Sequence, residues 1–130
     1  VDVSGYVPGQ RVLAGRVYRR IPNLPTHFDY ETGRPRLPAF VPRPQDRGAL
    51  SAHLDAYEAD AALAIPRLAA FGLCALEVED MQARTAGQVW VEFAPTRASR
   101  SHVRIHGCAD PEIQAILAEL AEMIHLPMLP

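Results

Sequence analysis

Three arginines and a tyrosine stand together near the start of the chain, in Arg16-Val17-Tyr18-Arg19-Arg20. A guanidinium fork donates two parallel hydrogen bonds to a carboxylate or phosphate, so Arg19 and Arg20 beside an aromatic ring suit the recognition of an anion. The competing use of these side chains is pairing with the chain's own acids, such as Glu77, Glu79 and Glu92. A second cluster comes late, where Ser101-His102-Val103-Arg104-Ile105-His106 alternates as a strand does and puts His102, Arg104 and His106 on one face. Such a face can hold an anion or move a proton. It does not suit one metal ion, because four residues of strand span ~13 Å, and zinc needs each ring nitrogen within ~2 Å. Cys108, two residues past His106, can add a ligand after the Gly107 turn, but nothing else stands at zinc-like spacing, so neither a metal nor a cofactor is expected. Either histidine can act alone, as a general acid or a phosphate donor, with Arg97, Arg100 and Arg104 close in sequence.

Glu77-Val78-Glu79 places two carboxylates on one parity after an apolar run. Paired carboxylates serve in sugar chemistry or in ADP-ribosyl transfer, and they also end strands for solubility. No phosphate-cradling glycine loop, no Gly-x-Ser-x-Gly elbow and no His-Glu-x-x-His occurs. Eight arginines (11, 16, 19, 20, 34, 36, 43, 47) against three acids (Asp29, Glu31, Asp46) make the stretch from Arg11 to Arg47 positive, which permits an anionic partner at one face. Without a recognised nucleic-acid module and with no lysines, the signal for a nucleic acid is weak, and a small anion or a protein is the leading expectation.

All thirteen basic residues are arginine, alanine occurs 20 times, proline 12 times and asparagine once, at Asn23. Residues with G/C-rich codons dominate, as in a GC-rich bacterial genome. Selection against lysine, or for bidentate guanidinium contacts, is the sharper explanation. A chain of 130 residues, 48% hydrophobic and with net charge −2, has the material for one core and is read as a single domain, 1–130, with 1–10 an irregular N-terminal segment. Cys74 and Cys108 are too few for a disulfide scaffold and read as reduced core thiols. The longest apolar run, Ala61 to Leu76, is broken by Pro66, Arg67 and Gly72, so no bilayer-spanning segment is expected. Val1 to Gln10 lacks the basic and apolar regions of a signal peptide, and a cytoplasmic location follows as an expectation.

The elements that must carry these residues are legible in outline. Gln10–Ile21 alternates as one strand stopped by Pro22, and Asn23–Arg36 is a loop with a turn at Glu31-Thr32-Gly33-Arg34. Pro35–Pro44 reads as a surface crossing with an edge segment. Ala49–Leu54 is a short strand, Asp55 caps a helical stretch over Ala56–Ala70, and Gly72–Val78 is a buried strand followed by a helical turn over Glu79–Arg84. Gln88–Phe93 and Ser101–His106 are strands. The last helix has Asp110 as N-cap and Pro111 at its first position, and Ile113, Ile116, Leu117, Leu120, Met123 and Ile124 form its apolar face before Pro127 ends it. Four or five strands, a central helical segment and this C-terminal amphipathic helix predict an α+β fold, a mostly antiparallel sheet with helices on one face.

Val17-Tyr18-Arg19-Arg20-Ile21, Ala39-Phe40, Gly48-Ala49-Leu50-Ser51 and Ser101-His102-Val103-Arg104-Ile105-His106-Gly107 occur in an order that resembles a loose set of small uncharacterised bacterial proteins. The resemblance covers Val17 to Leu126 and implies a stand-alone domain without an assigned activity. Val17-Tyr18-Arg19 followed by Glu77-Val78-Glu79 is similar in outline to NAD-dependent ADP-ribosyltransferases, although the middle Ser-Thr-Ser element has no counterpart here. That similarity implies Arg19 on a dinucleotide and Glu79 assisting transfer. The expectation for a non-catalytic binding protein is a site of Arg19, Arg20, His102 and Arg104. A third expectation is a structural or assembly subunit that docks on another chain, or on its own copy, through Leu126-Pro127-Met128-Leu129-Pro130.

Overall fold

A computed structural model describes residues 5–54 and 70–128. In chain order they form β1 (Arg11–Val12), β2 (Arg16–Pro22), β3 (Phe28–Asp29), β4 (Arg34–Pro35), β5 (Leu50–Leu54), β6 (Phe71–Glu77), α1 (Val78–Arg84), β7 (Trp90–Phe93), β8 (His102–His106), α2 (Pro111–Leu120) and β9 (Glu122–His125). Seven strands make one sheet in the order β1-β7-β8-β5-β2-β6-β9, and β3 and β4 form a separate hairpin. Every pairing is antiparallel. The fold is α+β, with more strands than the four or five expected.

Two of the extra strands come from splitting what reads as continuous. The expected strand Gln10–Ile21 breaks at Gly15, which takes a φ of 97° that side-chain-bearing residues avoid. As a result β1 runs at the sheet edge against β7 while β2 lies near the middle, between β5 and β6. Val12 and Val17, on opposite sides of the break, both reach the core. The C-terminal helix is shorter than its apolar periodicity suggests. Its start is as expected, with the Asp110 carboxylate accepting from the Glu112 amide at 2.8 Å and Pro111 in the first turn. Its end is Leu120, and Glu122–His125 turns into β9 against β6. An uncovered β6 would present a row of unpaired backbone groups, and the strand period also sorts the side chains. Met123 packs on the main core and Ile124 on the opposite face of the sheet.

The proline-rich crossing Pro35–Pro44 contributes more to the core than a surface segment would. Leu37–Phe40 forms a 3₁₀ turn that buries Ala39 and Phe40 against α2's side of the sheet. A second 3₁₀ turn, Pro44–Asp46, leads into β5 through Arg47 and Gly48, both at positive φ. The turn expected at Glu31–Arg34 forms, and the Asp29 carboxylate accepts from the amides of Glu31 (2.9 Å) and Thr32 (3.3 Å). The helical stretch expected over Ala56–Ala70, with its cap Asp55, lies outside the described residues except for Ala70.

The main core lies between one sheet face and the helices, and includes Val17, Ile21, Leu54, Leu76, Met81, Ile105 and Leu117. On the other face the described apolar cluster is small, with Tyr18, Leu73 and Ala75 at its centre. Among the described residues that face also carries Phe71 and Ile124, then Ser51, His53, His102, Arg104 and His106, with Trp90 and Glu92 on β7. Gly107, which ends β8, has φ 84° and its missing Cβ would lie 2.1 Å from the Gln88 carbonyl oxygen. Gly107→Ala therefore combines a left-handed backbone penalty with a backbone clash, and a loss of about 2 kcal/mol or more is expected. Urea unfolding of the two proteins checks this; midpoints within error of each other would refute it.

Candidate functional site

The polar face of the sheet is set by strand parity. In β8, Val103 and Ile105 join the core, so His102, Arg104 and His106 share the opposite face as expected. The His102 ring is held at both nitrogens. Nδ1 lies 2.7 Å from the Ala94 carbonyl oxygen, and Nε2 lies 3.1 Å from the Ser51 hydroxyl. A carbonyl only accepts, so Nδ1 carries a proton, and in the neutral form of the ring Nε2 is the nitrogen left to accept from the Ser51 hydroxyl. Register explains the meeting: Ser51 of β5 stands opposite Arg104 and His53 opposite His102, which makes Ser51 and His102 diagonal neighbours. His53 packs edge-on to His102 at 6.2 Å between centroids, and its Nδ1 contacts the hydroxyls of Ser101 (3.0 Å) and Ser99 (3.1 Å).

Arg19 and Arg20 are adjacent on β2 and so leave the sheet on opposite sides. Arg19 follows Val17 and Ile21 toward the core. Its Nε and Nη2 donate to the Ala39 carbonyl (3.2 and 2.9 Å), and its Nη1 donates to the Ser51 carbonyl (2.7 Å). The reason lies in the ladder, where β2 and β5 pair only at Val17↔Leu54 and Tyr18↔His53. Beyond those pairs the Arg19 fork bridges the strands and ties the Leu37–Phe40 turn to them. Burial lowers the Arg19 pKa, with the thiols of Cys74 and Cys108 near it. The same burial pushes both thiols up to about 12, and both cysteines are free.

Two adjoining depressions run over the start of β5 and share Arg43, Asp46, Ala49, Leu50 and Ser51. One is completed by Arg19, Arg20 and Phe71, the other by Thr96, His102 and Arg104. Of the expected ligand residues, Arg19 and Arg20 thus line one depression and His102 and Arg104 the other, with Ser51 common to both. Sequence reasoning missed Ser51, Arg43 and Asp46. Arg43 and Asp46 carried a local signal, a basic and an acidic residue three apart across Pro44, and they pair at 2.7 Å. The two hydrogen-bonding Arg43 nitrogens hold the Asp46 carboxyl below the usual carboxylate range, and the charges of Arg104 and Arg19 add to this. Arg104 is exposed and has no hydrogen bond or ion pair among the described residues.

No family model, curated protein or solved structure matches this chain.

Other candidates are committed elsewhere. His106 Nε2 lies 2.7 Å from a Glu92 carboxylate oxygen, and its ring stacks on Trp90 at 4.3 Å. The Arg11 guanidinium covers Trp90 at 4.2 Å from the strand on the other side. Arg16 pairs with Glu77 (3.1 Å) and Glu122 (3.8 Å). Glu79 sits exposed in the first turn of α1, past the Arg16 end of β2, and does not border the groove that Arg19 reaches. Among the described residues no group of three metal-ligating side chains forms, and no helix is long and apolar enough to cross a membrane. In the C-terminal segment, Pro127 packs on Gly72 and the Asn23 side chain donates to the Met128 carbonyl at 2.6 Å, while Leu126 and Met128 stay exposed. Leu129 and Pro130 lie outside the described residues.

Arg19→Ala strips donors from two carbonyls at once and is expected to cost about 2–4 kcal/mol of stability. Arg19→Lys should recover only part of this, because one ammonium on a flexible stem lacks the planar fork. Chemical denaturation of the three proteins measures both, and an Arg19→Ala variant as stable as wild type would remove the bridge from the account. The thiols give a second check. Cys74 and Cys108 should resist a disulfide-exchange reagent at pH 8 in the folded protein and react fully in urea; rapid native labelling of either contradicts their burial.

Proposed function

We propose that this protein binds a small anion, a phosphate or carboxylate group, in the groove over the start of β5. The observation that carries the reading is Arg104, an exposed guanidinium beside His102 and the Arg43–Asp46 pair that makes no hydrogen bond or ion pair among the described residues. Arg43 and Asp46 cancel in charge, which leaves the positive charge of Arg104. A guanidinium with its fork open supplies two parallel donors to a planar or tetrahedral anion. The Ser51 hydroxyl adds a short-range hydrogen-bonding group between the two depressions. A nucleic-acid partner has less support. Trp90 has Arg11 on one neighbouring strand and His106 on the other, so its ring is already covered where a base would stack.

Calorimetric titration of the protein with inorganic phosphate at low ionic strength should show saturable binding that weakens as salt is raised. Arg104→Ala should weaken it by roughly tenfold or more, the worth of a lost charge-assisted hydrogen bond. Absence of binding at millimolar phosphate, or affinity unchanged in Arg104→Ala, overturns the assignment.

A further inference from the structure

We infer that Ser51 and His102 form a nucleophilic pair that hydrolyses esters whose acyl part carries a carboxylate; the substrate class rests on the anion-binding reading above, whereas the pair rests on its own geometry. Three features separate this serine from an ordinary surface hydroxyl. Its Oγ is 3.1 Å from the one nitrogen of His102 that is free to take a proton. The other nitrogen is 2.7 Å from the Ala94 carbonyl, so the base is oriented and its tautomer set by a third group. Finally, Ser51 is exposed and borders both depressions of the groove. The neighbouring cluster makes the contrast plain: Ser101, in contact with His53, is buried, and the His53 Nδ1 is shared between two hydroxyls.

The reaction follows from these positions. Ser51 Oγ attacks the ester carbonyl carbon as its proton passes to His102 Nε2, and the Ala94 carbonyl keeps its hydrogen bond to the imidazolium at Nδ1–H. The tetrahedral intermediate collapses with cleavage of the bond to the alcohol oxygen, which leaves with the proton from Nε2. Water then adds to the acyl carbon and gives a proton to Nε2. Expulsion of Ser51 Oγ, which regains that proton, releases the carboxylic acid. Arg104 stands directly across from Ser51 in the ladder, with Cβ atoms roughly 5 Å apart, close enough to hold the substrate's carboxylate and to offset charge on the oxyanion.

Wild-type protein is incubated with a fluorophosphonate and its adduct mapped by peptide mass spectrometry. The expected result is one adduct, on Ser51 and not on Ser99 or Ser101, forming at least ~100-fold more slowly in His102→Gln. p-Nitrophenyl hemisuccinate should be hydrolysed at least ~10-fold faster than p-nitrophenyl acetate, with both rates abolished in Ser51→Ala and the preference lost in Arg104→Ala. Ser51→Ala removes only an exposed hydroxyl, so a folding failure of His102→Gln leaves the test intact. No adduct on Ser51, or one formed equally fast without His102, overturns the pair. Equal turnover of the two esters overturns the substrate class. Phosphate titration of the same wild-type sample separates the two readings: binding without an adduct leaves the anion site and removes the nucleophile, and an adduct without binding does the reverse.

Discussion

Where β2 and β5 part, the backbone carbonyls left in the gap need donors, and the Arg19 guanidinium supplies them. Main-chain acceptors outside a ladder rarely go without a donor, and here one planar fork serves the part-buried Ala39 carbonyl on the 3₁₀ turn and the more exposed Ser51 carbonyl on β5 together. Much of the site depends on this bridge. It holds the turn that carries Phe40 into the core and secures the main chain of Ser51, which borders both depressions. Burial disfavours the Arg19 cation, and its hydrogen bonds to the two carbonyl oxygens offset part of that cost.

The same use of guanidinium recurs through the arginine-rich third of the chain. Arg11 lies over Trp90, Arg16 pairs with Glu77, and Arg36 pairs with Asp29 at 3.7 Å. Arg34 reaches the C-terminal carbonyls of α2, at Ala118 (3.2 Å) and Glu119 (2.7 Å), where a cation also meets the negative end of the helix dipole. A chain with many short strands and turns has many carbonyls outside regular ladders, and a five-donor side chain is suited to them. The crowding of arginines before residue 50 is therefore in large part internal bonding, and only a few of them face the groove.

Reading by period succeeded where one face of an element is buried and failed where pairing partners come from distant sequence. Val91 and Phe93 on one side of β7, with Val89 just before it, and Val103 and Ile105 on one side of β8, followed from alternation alone, because water on one face and core on the other impose it. The α2 start followed from Asp110 and Pro111, whose effects are local. The α2 end did not. Met123 and Ile124 satisfy a helical stripe equally well, and only the open edge of β6 makes them a strand. Likewise the split of β1 from β2 hangs on one glycine whose sign of φ no periodicity reveals.

For the site, residue types and strand parity sufficed to place His102, Arg104 and His106 on one face and to mark Arg19 and Arg20 as anion-capable. They also established an α+β chain with an antiparallel sheet, since alternation and capping act over a few residues. Tertiary structure alone decided which of those residues face the same space. It turned Arg19 inward because its parity matches Val17 and Ile21, occupied His106 with Glu92 and Trp90, and left Arg104 open. It also brought in Ser51, 51 positions from His102 in sequence and 3.1 Å from it in space. Register between strands sets such meetings, and register depends on the whole sheet closing over one core.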